Sequence, residues 1–190
     1  MGRELREKVL AGALIVYNQK GVKFTMDDLA KELKMSKKTI YTVFNGKEEI
    51  FLMAVDYLFN SIKESESEVL RDGSLSTLDK LKKLLGVFPD AYANVNFRDL
   101  ALIRAKFPSV YEKVRERLET GWDPTLNLIN KGIKEGSIRK DLNVQLFKSM
   151  FQASLERFFQ DDFLKENGIS YQTALNDVTE ILVEGIKPAE

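Results

Sequence analysis

Apolar residues recur along this chain at three- and four-residue spacing, and no stretch alternates with the period of a strand. In the first segment Leu5, Val9, Ala13 and Tyr17 fall four apart, with Leu10 and Leu14 beside them, which is one face of a helix. Gly21 then offers a left-handed stop. Thr25 reads as the cap of a second helix reaching about Leu33, with Asp27 and Asp28 where the helix dipole favours acids. Ser36 reads as the cap of a third, Lys37–Phe44. Asn45, with Glu48 three residues on, reads as a capping box for a long fourth helix from about Lys47 to near Arg71.

Boundaries follow at 72–76, 93–96, 136–140 and 167–170, and helical stretches are predicted near 77–92, 97–106, 109–134, 142–165 and 170–186. Pro108 suits a helix start, whereas Pro124, inside a helical pattern, predicts a kink or break. The expected fold is therefore all-α. Three short helices open the chain, and the tight turn Lys34-Met35-Ser36 between the second and third gives a helix-turn-helix layout. Ile40, Val43 and Phe44 share one face of the third helix and are expected to pack on Leu29, Leu33 and Leu14. The other face then shows Lys37, Lys38, Tyr41 and Thr42, two cations and two hydroxyls suited to phosphates and base edges.

Charge changes this picture only when it is resolved by position. The 190 residues carry 29 Lys+Arg and 29 Asp+Glu, a formal net charge of zero. From Lys20 to Lys47 there are seven positives and three negatives, a local excess of four. Residues 1–50 hold ten positives and seven negatives, so the remainder carries a net −3. A basic reading head on an acidic body is compatible with a nucleic-acid partner.

Composition removes catalysis more firmly. The chain has no histidine and no cysteine. That excludes Ser-His-Asp and Cys-His chemistry, His-based or thiolate metal sites, and disulfides. The adjacent acids Asp27-Asp28 and Asp161-Asp162 would point about 100° apart on a helix and do not converge. No enzyme, metal or cofactor is expected. The longest apolar run, Val9–Tyr17, is far short of the ~20 residues that span a bilayer. Mixed charges before it and the lack of a small-residue cleavage site argue against a signal peptide, so a cytoplasmic protein is expected.

The stretch from Val9 to Phe51 resembles the DNA-binding domain of the TetR family of transcriptional regulators. The resemblance runs through Val9-Leu10, Ala13-Leu14, Tyr17, Lys20-Gly21, Phe24-Thr25-Met26 and Asp28-Leu29-Ala30. It closes with Met35-Ser36-Lys37-Lys38-Thr39-Ile40-Tyr41-Thr42-Val43-Phe44 and Lys47-Glu48-Glu49-Ile50-Phe51. Two positions depart from the family pattern: Lys34, where glycine is common, and Gly12, where alanine is frequent.

The resemblance implies a DNA-binding domain over 1–48 and a helical-bundle ligand-binding and dimerisation domain over 49–190. It implies that Thr25 and Tyr41 bond phosphate oxygens, that Lys47 contacts phosphate at the start of the fourth helix, and that Lys37, Lys38, Thr39 and Thr42 lie at or near base edges. It also implies a cavity for a small organic effector, for whose walls Tyr92, Trp122 and Phe151 are the candidates. The stretches 142–165 and 170–186 are apolar on more than one stripe, so each is expected to pack on its own body and on a second subunit. The expected function is a repressor, released by its effector from a near-palindromic double-stranded operator.

Overall fold

The computed structural model describes residues 2–89, 100–160 and 163–189, and no strand occurs among them. Eleven helices are described: α1 (Gly2–Lys20), α2 (Met26–Leu33), α3 (Lys37–Tyr41), α4 (Lys47–Arg71), α5 (Thr77–Leu85), α6 (Leu100–Lys106), α7 (Pro108–Glu119), α8 (Asp123–Glu135), α9 (Val144–Gln160), α10 (Phe163–Glu166) and α11 (Tyr171–Glu184). The all-α expectation holds.

Local signals account for most of the boundaries. Thr25 caps α2 in a full capping box with Asp28, and Ser36 caps α3 by accepting from the Thr39 amide. Gly21 takes φ 61° and ends α1 in a 3₁₀ turn over Gly21–Lys23. Pro124 breaks the stretch expected as 109–134 into α7 and α8, since proline fits the first turn of a helix and not its interior. The fourth helix departs in one detail. Asn45 does not cap it with Glu48; its backbone and side-chain amides both donate to Glu49 Oε2, at 2.7 and 2.8 Å. α3 is also shorter than expected, ending at Tyr41.

Both departures from the family pattern have a physical account. Lys34 takes φ 52°, the left-handed conformation a glycine would adopt there, and its amide closes the end of α2. Gly12 lies against Leu33, and a Cβ at that position would come within 2.5 Å of Leu33 Cδ2. Its missing side chain lets α1 and α2 approach closely.

Two apolar clusters divide the molecule. The first gathers Val9, Val16, Tyr17, Phe24, Leu29, Ile40, Phe44 and Ile50, all buried. It contains Ile40, Phe44 and Leu29 as expected, with Leu33 and Val43 partly buried beside them, whereas Leu14, also expected there, is not part of it. It also takes in Ile103 of α6 and Val110 of α7, so the body reaches into the core of the reading head. The second cluster gathers Leu81, Ile129, Phe147, Phe151, Leu155, Phe158, Leu175 and Val183. At 1.5 Å per residue the 25 residues of α4 extend about 37 Å, and they run between both clusters.

Candidate nucleic-acid interface and apolar cavity

α3 is positioned by its buried face. Ile40 and Phe44 are fully enclosed, which turns Lys37, Lys38, Tyr41 and Thr42 to solvent. Tyr41 remains 49% exposed. Lys38 has no charged partner among the described residues, whereas Lys37 pairs with Asp27 at 3.0 Å. The Thr42 hydroxyl donates to the Thr39 carbonyl at 2.6 Å, and Thr39 Oγ1 lies 2.9 Å from Ser36 Oγ. Five of the expected contact residues thus lie on one short helix and its first following residue.

Thr25 lies at the edge of this face with its hydroxyl engaged. It donates to Asp28 Oδ2 at 2.9 Å and accepts from the Asp28 amide at 3.2 Å. Lys20 closes the same cluster with an ammonium 2.5 Å from Asp28 Oδ1. Lys20 and the Thr25 donors hold the Asp28 carboxyl well below the usual carboxylate range.

Lys47 departs from expectation. A phosphate contact was expected of it, but its ammonium is turned inward. It donates to the Phe24 carbonyl at 2.6 Å and to the Val22 carbonyl. It also lies over the Phe24 ring, 4.2 Å from the centroid. Burial, and then the positive charge of Lys106, bring its pKa from 10.5 down to about 8, with Asp28 opposing. A four-carbon stem is long enough to reach back across the start of its helix, and the two carbonyls left by the 3₁₀ turn supply the acceptors.

An apolar cavity of about 210 Å³ lies along α4. α4 contributes Phe51, Ala54, Val55, Leu58, Phe59 and Ile62, and α7 contributes Val110, Tyr111, Val114 and Leu118. Leu10, Ala13, Leu14 and Tyr17 of α1 line it too, so it extends to the reading head itself. Two of the three expected wall residues are present. Trp122 and Phe151 meet edge to face, with ring centroids 5.9 Å apart, and both line the cavity. The Trp122 indole N–H donates to the Leu118 carbonyl at 2.8 Å, which fixes the ring. Tyr92 lies outside the described residues. Tyr171 closes the far end, where burial pushes its phenol up.

The α1 and α7 walls have no signature in the sequence. Val110, Val114 and Leu118 recur four apart, which marks a buried face and does not say whether it meets protein or a void.

Elsewhere, three large apolar side chains stand exposed on the last long helices: Leu146 at 56% and Met150 at 50% on α9, and Ile181 at 69% on α11. Leu155 of α9, by contrast, is buried in the body's own core. No helix among the described residues is long and apolar enough to cross a membrane.

Known proteins resemble this chain in sequence and in fold. Residues 9–54 match the sequence model of the family described as bacterial regulatory proteins, tetR family. Across 97% of its length the chain is 24% identical to the uncharacterized HTH-type transcriptional regulator YvaF of Bacillus subtilis (strain 168), covering 96% of that protein. Among solved structures, a TetR-family transcriptional regulator from Cytophaga hutchinsonii superposes with a TM-score of 0.72 at 18% identity, over 100% of this chain and 98% of that one. The regulator FadR from Bacillus subtilis, solved in complex with stearoyl-CoA, superposes with a TM-score of 0.65 at 20% identity, over 95% and 98% of the two chains.

Proposed function

Because the chain belongs to the TetR family of bacterial transcriptional regulators, and is a DNA-binding protein and not an enzyme, we propose that it is a repressor released from its operator by a small organic effector. One observation carries the effector part of this reading: the apolar cavity is walled by both halves of the chain, from Leu14 of α1 to Phe151 of α9. A molecule filling it touches the reading head and the body together. The stearoyl-CoA complex of the FadR neighbour supports an acyl chain as a suitable occupant of such a fold.

For the DNA side, α3 enters the major groove, with Thr39 and Thr42 at base edges, Lys38 near them on the phosphate backbone, Lys37 exchanging Asp27 for the duplex, and Tyr41 and Thr25 on phosphate oxygens. Lys47 serves from behind, holding the 3₁₀ turn to α4. The DNA-binding domain covers about residues 1–48 and the effector and dimerisation domain the remainder.

The chain works as a homodimer through α9 and α11, whose exposed Leu146, Met150 and Ile181 supply the apolar contact. A two-fold dimer reads a near-palindrome with half-sites about one turn of DNA apart or somewhat more, ~34 Å. Effector binding acts through the corner between α6 and α7, where Phe107 packs on Phe51 of α4 with ring centroids 5.4 Å apart. A ligand preferring one arrangement of that corner changes the spacing of the two reading heads.

Selection of bound duplexes from a random pool tests the reading, followed by a mobility shift with added effector. The result expected is an enriched inverted repeat, released by ligand. Enrichment of nothing above background removes the operator reading, and tighter binding with ligand reverses the repressor assignment.

A further inference from the structure

The charged side chains in the wall of the apolar cavity are not equivalent. The Lys63 ammonium is committed to Glu66 at 2.7 Å and to the Gly121 carbonyl at 2.9 Å. Arg117 donates to Asn60 Oδ1 at 2.6 Å and stacks on Phe59, 5.5 Å from the ring centroid. Arg104 has neither kind of polar partner. Its guanidinium lies 4.8 Å from the centroid of the Tyr111 ring, and no carboxylate among the described residues pairs with it.

Position distinguishes Arg104 further. With Tyr111 it also lines a second, polar recess of about 370 Å³, whose other walls are Pro108, Glu112, Arg115 and Glu156. Arg115 in that recess is already paired, with Glu112 at 3.3 Å and Glu119 at 3.5 Å. Arg104 and Tyr111 are therefore the boundary between an apolar channel and a polar opening. Arg104 is itself exposed, so this boundary is open to water.

We propose that the effector is an aliphatic carboxylate, its chain in the apolar cavity and its single anionic head on Arg104 beside Tyr111. The inference rests on the cavity being the effector site. An aliphatic chain gains from walls of leucine, valine and phenylalanine in proportion to the area removed from water. Among the described residues Arg104 is the guanidinium in the wall without a polar partner, and a guanidinium fork can take a carboxylate bidentately. Tyr111 can donate a second, neutral bond. Glu156, which also lines the recess, repels further negative charge and favours a singly charged head over a polyanionic one.

Titration calorimetry on the full chain tests this with dodecanoate, methyl dodecanoate and dodecanoyl-coenzyme A. The acid is expected to bind at least roughly tenfold more tightly than its ester, the gain of one charge-assisted pair. That gap should close in Arg104→Gln, persist in Arg104→Lys, and persist in Arg117→Gln. Equal affinity of acid and ester overturns the anionic head while leaving the apolar cavity intact. A gap that survives Arg104→Gln and closes in Arg117→Gln overturns the assignment to Arg104. A thioester binding more tightly than the acid overturns the singly charged head. Binding of neither acid nor ester removes the effector site itself, and with it the inference.

Discussion

The Lys47 ammonium lies 4.2 Å from the centroid of the Phe24 ring and donates to the Phe24 carbonyl at 2.6 Å. One residue at the start of α4 thereby grips the turn that precedes α2. The contact ties the reading head to the helix that carries the cavity. Its ammonium is expected to brace the fold and not to pair with phosphate. Changing Lys47 to methionine should leave the salt dependence of DNA affinity within experimental error. A slope reduced by about 0.9, the share of one phosphate contact, would show that the side chain swings outward on DNA.

The same contact has a pH signature. The folded-state pKa of Lys47 is lowered from 10.5 to about 8, so between those values the unfolded chain holds the proton more firmly. Stability contributed by this group therefore rises with pH across that window, and the penalty is complete below about 8. In urea titrations the wild type should gain on Lys47→Met between pH 7.5 and 9.5. A difference that stays constant would mean the ammonium is not desolvated.

Asp28 behaves in the opposite sense. Its folded-state pKa is depressed below 3.8, so the stabilisation is present above that value and is lost as pH falls through the folded-state pKa. Asp28→Asn should lower the Tm at neutral pH, and the deficit should shrink as the solution is taken below pH 3. A deficit that does not change with acid would assign the loss to the capping geometry alone.

On the recognition helix, Lys38→Ala should weaken binding to operator and random duplex alike and flatten the salt slope by about 0.9. Thr42→Ala should instead relax discrimination at one base pair, at about 1–3 kcal/mol for a lost base contact. Gel-shift titrations over a salt series, with single-base operator variants, separate the two. If Lys38→Ala changes specificity and leaves the slope intact, the two roles are exchanged.

Placing aspartate at position 181 should convert the protein to a monomer, because Ile181 is the most exposed of the three apolar residues on α9 and α11. Sedimentation velocity reads the mass directly. A dimer that persists in Ile181→Asp would put the interface elsewhere.

The reading head was legible in the sequence because its signals are local. Thr25 and Ser36 cap helices through amides three residues away, and Gly21 and Pro124 act on their own backbone. Ile40 and Phe44 follow helical spacing, and burying them necessarily exposed Lys38 and Thr42. Asn45 bonds Glu49 and not Glu48 because the two acids are neighbours three and four residues on, and only the approach of the loop to α4 chooses between them. In the body, the aromatics Trp122 and Phe151 are legible as wall residues, while Leu14 and Val114 are not. Periodicity marks a buried face and is silent on what it is buried against.

The sequence alone determined most of the helices, the exposed basic face of α3, the charge polarity and the exclusion of histidine and cysteine chemistry, all of which depend on residue identity and short spacing. Tertiary structure decided the rest. It turned Lys47 onto carbonyls 23 and 25 residues away, brought α1 against the cavity, and set Arg104 at the meeting of an apolar channel and a polar recess. Each of these joins groups distant in the chain, and a long flexible side chain or an enclosed void has no local pattern to announce it. Its position follows from how whole helices pack, and helix packing is an outcome of the complete core.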